Sequence, residues 1–283
     1  MITHNGTYLL HATHHGMPIV AATMGGKMVI GLLLSATLQA IVAAFGAEGT
    51  EVIRKTNDYL NRIATTDPQR ALLLANFINE DPMLVCSLVE TSKMRWLKSD
   101  GFAYIDTGFK PTLNTCLHIK GYWGDDTIFN DYNTNAGLAY TDNGATGNNG
   151  FGFNLWGDTL YVGYGGFDTV GSVKKNVIYE FVLDKGDYSV KSAEVERKGV
   201  LSANSLSPNS NLLIFAWARS GGVPYKSKMY MSNVELNDDT SIHLVPCHHD
   251  NQAGMLDIIS GTFYPNANTQ GSFTIALTLK TTS

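Results

Sequence analysis

Two runs of metal-ligating side chains stand out: Cys247-His248-His249-Asp250, and His11 with His14 and His15. Zinc takes four ligands converging tetrahedrally, whereas neighbouring residues of a strand point to opposite faces. Neither run has a second paired set. A solvated loop is the better account of residues 247–250, and the His-rich start reads as a pH-sensitive contact at a subunit interface. Loops rich in Asp and Asn, at residues 123–126, 131–135 and 141–149, carry oxygen ligands of the kind Ca²⁺ takes. None has the spacing of a defined calcium loop, and turn formation explains these residues better. No metal or other cofactor is expected.

Glycoside hydrolysis needs two carboxylates facing one cleft, as in a Glu-x-Asp-x-x-Glu strand. The nearest candidates, Glu180 with Asp184 and Glu194 with Glu196, lack that spacing. There is also no Gly-x-Ser-x-Gly elbow and no phosphate loop. The chain is therefore not expected to be an enzyme.

Binding chemistry is better represented. Residues 151–164 alternate apolar and other side chains around Gly157-Asp158, which reads as a two-residue hairpin turn. That turn sets Trp156 opposite Thr159, Leu155 opposite Leu160, Phe153 opposite Val162 and Phe151 opposite Tyr164. Phe151, Phe153, Leu155, Leu160, Val162 and Tyr164 then share a core face. The other face carries Asn154, Trp156 and Tyr161, with Gly152 and Gly163 beside them. Flat rings for the apolar face of a pyranose, an amide for its hydroxyls and glycines that leave room make a sugar platform. Packing of this face on helices or on another subunit accounts for the same residues and is preferred on residue types alone. A one-residue slip would exchange the faces and bury Trp156.

The elements around this hairpin follow from pattern. Gly6, Gly16 and Gly26 recur every ten residues, and Ala12-Thr13 with Val20 match Ala22-Thr23 with Ile30, so residues 1–30 read as a β-meander anchor. Residues 31–98 read as a helical oligomerisation region. Within the nearly uncharged run 28–45, Ser35, Thr37 and Gln39 favour a strand leading into a buried helix over a membrane span. Residues 51–64 have one apolar stripe. Thr66-Asp67-Pro68 and Glu80-Asp81-Pro82 are helix starts, giving helices over 68–78 and 82–97. Their apolar residues, among them Leu74, Phe77, Ile78, Leu84 and Val85, either pack beneath a β domain or form a homo-oligomer core.

From residue 99 to 283 the pattern is β. Met229 to Leu236, an Asn/Asp turn at 237–240, and Ser241 to Cys247 form a hairpin, and a second turn at Ser260-Gly261 leads into a Phe263-Tyr264 strand.

Composition narrows the class. At 283 residues there is ample chain for a core, and 16% charged residues lie well below the ~25% of an average soluble protein. A net charge of -5 without any Lys/Arg cluster argues against nucleic acid as a partner. Three widely spaced cysteines give no disulfide framework. No Lys or Arg precedes Lys27, so export by the general secretory route is not expected.

The order of the C-terminal pieces resembles the laminin-G/concanavalin A-like jelly rolls of gut bacteria and their phages. In sequence these are a Met-Tyr-Met strand, a polar turn, a Pro246-Cys247 step, a Gly-x-x-Asp segment ending at Asp257, and Gly261-Thr262-Phe263-Tyr264 before Asn266. The opening phrase Tyr104-Ile105-Asp106-Thr107-Gly108, followed by Pro111-Thr112, resembles the first strand of that family, and the closing segment 271–277 is expected beside it in one sheet. The N-terminal repeat is similar to anchoring segments of head- and tail-fibre proteins of phages that infect gut Bacteroidales. The resemblance implies a mainly β protein with a C-terminal concanavalin A-like jelly-roll sandwich, behind a short β anchor and an α-helical segment. It implies a virion structural protein, assembled in the host cytoplasm as a homo-oligomer, held to capsid or tail proteins by its N-terminal region and offering glycans a binding surface. The alternatives are a membrane-tethered bacterial carbohydrate-binding protein and, further off, a glycosidase.

Overall fold

A computed structural model describes residues 33–129, 137–141, 150–203, 205–206, 208–218, 224–238 and 240–280, and the backbone of four strands before them. Those strands, Ile2–His4, Thr7–His14, Met17–Met24 and Lys27–Val29, form an antiparallel meander in chain order. The glycines expected at its turns lie outside the described residues.

The rest of the chain is a mainly β body of two antiparallel sheets under a helical layer. In the large sheet, Cys116–Tyr122 lies between Tyr179–Asp184 and Tyr230–Asn237, and Ser241–His249 and Gln252–Asp257 follow. Alternation fixes its faces. Leu117 and Ile119, with Tyr179, Phe181 and Leu183, point into the sandwich, while Cys116, His118, Lys120 and Tyr122 point out. The small sheet supplies Phe151, Phe153, Leu155, Leu160 and Val162 to the same core. Trp123 meets Phe181 edge-on at 6.0 Å between ring centroids. Burial of this kind, at roughly 25 cal/mol per Å² of apolar surface, is the main force holding the sheets together.

The middle of Ser241–His249 is buried on both faces, which explains the apolar run Leu244-Val245-Pro246-Cys247. Leu244 faces the sandwich core, whereas Val245 and Cys247 face the helices. The helices are α1 (Ser35–Phe45), α2 (Gly49–Ala64) and α3 (Pro68–Glu80). In α3 the Asp67 carboxylate accepts the Arg70 amide at 2.9 Å and Pro68 occupies the first turn, as the sequence pattern requires. Leu74, Phe77, Ile78, Leu84 and Val85 are buried in a second core shared with the outer face of the large sheet. Packing on the β body thus covers, within one chain, the apolar surface that a homo-oligomer core would also have explained.

Three expectations change. The helix beginning at Pro82 ends at Leu88 instead of running to 97: a 3₁₀ turn, Pro82–Leu84, passes into Val85–Leu88, and Val89 is extended. The Asp81 side chain does not cap it, because that carboxylate is engaged by Arg95 and by the His248 amide. Lys93–Ser99 is a strand instead, pairing Tyr230 and Met231 on one side and all of Phe273–Leu279 on the other. The closing strand is therefore the neighbour of Lys93–Ser99, not of the 101–108 phrase, whose Ile105–Asp106 pairs with Leu213–Ile214 in the other sheet. Finally, residues 247–249 end a strand, with Cys247 fully buried, and only Asp250-Asn251 form a turn.

All three thiols are free. Burial raises the pKa of Cys86 and Cys247, and burial together with the Asp184 carboxylate pushes Cys116 up to about 11. Among the described residues no single helix is long and apolar enough to cross a membrane; α1 has 11 residues, and Thr37, Ile41 and Phe45 on it are buried.

Candidate ligand site on the small sheet

The hairpin of Phe151–Trp156 and Thr159–Tyr164 has the expected register, with Trp156 opposite Thr159 and Phe151 opposite Tyr164. Gly157 takes φ +64°, the left-handed conformation such a turn needs. All six residues of the expected core face are buried. On the outer face Asn154, Trp156 and Tyr161 come together with Tyr140, Phe167 and Trp217 around a cavity of about 270 Å³. Among the described residues no helix covers this face: Trp156 is 53% and Phe167 55% exposed.

The walls stand at steep angles. Tyr140 and Trp217 meet at 90° with centroids 5.6 Å apart, and Tyr161 meets Phe167 at 67° and 6.0 Å. Three of these rings come from outside the hairpin. Phe167 arrives on Gly166–Ser172, which pairs with Thr159–Tyr164. Tyr140 arrives on Gly137–Thr141 on the other side.

Trp217 depends on a reversal. Ile214 pairs with Ala139 in an antiparallel sense and Ala216 with the same Ala139 in a parallel sense, so the chain doubles back at Phe215. Phe215 has φ +65°, a strained conformation for a bulky residue. It is held there by its amide on Leu138, the Ser227 amide on its carbonyl, and packing against Phe273.

One expectation about this face is revised. The space beside Gly163 is not left for a ligand: a Cβ there would lie 2.6 Å from the Tyr140 ring. Tyr140 fills that slot and floors the cavity. Gly163 lies opposite Gly152, so a ring-sized gap was signalled by the sequence, although its occupant was not.

The other candidates lie elsewhere. Glu180 pairs with Lys120 at 3.2 Å, Asp184 accepts the Cys116 thiol, Glu194 pairs with Lys174 and Glu196 with Lys198. None of them lines the aromatic cavity. Asp126 is held by Lys98 and Lys228, and Asp125 accepts the Asn176 amide. The other two Asp/Asn loops lie outside the described residues apart from Thr141, and the side chains of His11, His14 and His15 lie outside them as well. His249 has Nδ1 2.6 Å from Glu80 and Nε2 3.6 Å from Asp250, with its ring between Phe77 and Phe263. The run 247–250 thus fastens the sandwich to the end of α3. In comparison with known proteins, the chain matches no family model and no curated protein sequence.

Proposed function

We propose that the two-sheet body is a jelly-roll carbohydrate-binding module, and that the chain is a head- or tail-fibre or decoration protein of a virion. The observation that supports glycan binding is the exposed aromatic cavity with Asn154 at its wall. Ring faces set at right angles suit the apolar faces of a sugar, and a single amide orients its hydroxyls. The cavity volume lies just below the ~300 Å³ at which pockets begin to enclose drug-sized ligands, so a terminal sugar unit is the natural occupant. Apart from Asn154 its described lining is aromatic.

The virion setting is supported by the resemblance of the C-terminal strands and by the N-terminal meander, which serves as the anchor to capsid or tail. A tethered membrane protein is the less favoured reading, because α1 is much shorter than the ~20 residues a spanning helix needs.

Trp156→Ala tests the platform. Losing one exposed ring at the centre of a binding face costs about 2 kcal/mol, roughly a 30-fold weakening. The thermal midpoint should not move, since Trp156 is largely exposed. A glycan array followed by calorimetry reads this; equal affinity in the variant, or no glycan bound by the unmodified chain, would sink the reading. For the virion role, light scattering of the full chain in detergent-free buffer is expected to give a homo-oligomer, and a monomer counts against a fibre.

A further inference from the structure

The outer face of the large sheet carries a row that neither the cavity nor the helical layer uses. Glu235 lies opposite His118 on one neighbouring strand and opposite His243 on the other. With a side-chain period of two, in-register residues on adjacent strands share a face, their Cβ atoms about 5 Å apart. Glu235 Oε1 is 3.9 Å from His118 Nδ1 and 3.8 Å from His243 Nε2. Asn233 engages the same atoms in the metal-free chain: its amide donates to Glu235 Oε1 at 2.7 Å and its Oδ1 accepts from His243 Nε2 at 2.6 Å, so a metal ion has to displace Asn233 and the Nε2 proton. All three ligating side chains are partly open to solvent, at the rim of the helical layer, where Arg70 of α3 donates to the Ile258 carbonyl.

We propose that His118, Glu235 and His243 form a binding site for a divalent transition-metal ion, zinc foremost. Two imidazoles and a carboxylate are a ligand set zinc uses with water in the fourth position. Metal bonds of 2.0–2.1 Å at tetrahedral angles place ligand atoms roughly 3.3 Å apart, so each imidazole has to swing toward Glu235, and the two imidazoles, which lie more than 4.8 Å from one another, have to close on each other as well. The three strands are consecutive in a sheet, which fixes the backbone and leaves side-chain rotation as the main adjustment. Nitrogen donors favour zinc, copper or nickel over calcium or magnesium. The group Glu80, His249 and Asp250 is a poorer candidate, although its ligand atoms lie within 4.8 Å of one another. It has one imidazole, clamped between two phenyl rings, with a carboxylate already at each nitrogen.

The test is zinc titration of the metal-free full chain by calorimetry against a chelator of known affinity. His118→Gln and His243→Gln should each weaken binding by more than about tenfold, since even residues that only support ligands cost 10- to 100-fold. His249→Gln should leave it unchanged. On the unmodified chain, zinc should shift the imidazole NMR signals of His118 and His243, a readout independent of how the variants fold. The proposal is overturned if the folded chain binds no zinc, if the double variant His118→Gln/His243→Gln binds as tightly, or if the shifts fall only on other histidines.

Discussion

Asp81→Ala is expected to lower the free energy of unfolding by about 3–5 kcal/mol, the usual cost of stripping one partner from a buried ion pair. Asp81 and Arg95 are 6% and 1% exposed, and the carboxylate also accepts the His248 amide at 2.6 Å. Removing it leaves a guanidinium inside the protein with no counter-charge, and orphans a backbone amide of the large sheet. Two further guanidinium nitrogens, Nε and Nη1, have no hydrogen-bond partner among the described residues even with Asp81 present. The pair is thus incompletely satisfied, and an apolar replacement of both residues should recover much of the loss. Urea unfolding of Asp81→Ala, Arg95→Met and the double variant measures this as a cycle. If Asp81→Ala costs less than about 1 kcal/mol, the range of an exposed pair, the lock between α3 and the sheet is not what the geometry indicates.

That pair also illustrates what a sequence hides. Glu80-Asp81-Pro82 has the composition of a helix start, and local rules extend a helix from it. What ends the helix is distant: Phe273–Leu279 needs a partner, and Lys93–Ser99 supplies one, with the Trp96 indole donating to Thr278 at 2.8 Å. Elements fixed by their own pattern were legible, namely the 151–164 hairpin, the C-terminal hairpin after Tyr230 and the capped start of α3. Elements fixed by non-local pairing were not.

The candidate cavity divides in the same way. Asn154, Trp156 and Tyr161 lie on one hairpin, so alternation placed them together. Tyr140, Phe167 and Trp217 reach the cavity through pairings along the small sheet, and for Trp217 through a backbone reversal at Phe215. The row of His118, Glu235 and His243 is an intermediate case. Half of it follows from the hairpin that sets Glu235 against His243, while His118 joins only once its strand is known to lie beside Tyr230–Asn237.

Gly163→Val should disable the cavity from beneath. Gly163 sits in the middle strand of three, opposite Gly152 and Phe167, with the Tyr140 ring over it. A Cβ at 2.6 Å from that ring is closer than packed atoms come, and Gly150 blocks the far side, where an added Cβ would meet the same hydroxyl at 1.6 Å. Tyr140 is 2% exposed and edge-on to Trp217, so it cannot step aside without moving the opposite wall. Overpacking of this kind costs about 1–3 kcal/mol. Ligand binding should fall more than in Trp156→Ala, because floor and wall shift together while Trp156 stays in place. Tyr140→Ala alone empties a buried aromatic site and should cost about 3–5 kcal/mol. Adding Gly163→Val to it refills part of the slot, so the double variant should be more stable than the two losses summed, with a coupling of roughly 0.5–3 kcal/mol. Binding should not return, because a valine has no ring face to offer. Additive stabilities in this cycle would mean that the two residues do not share the slot. Normal glycan affinity in Gly163→Val would mean that Tyr140 is not the floor on which the ligand rests.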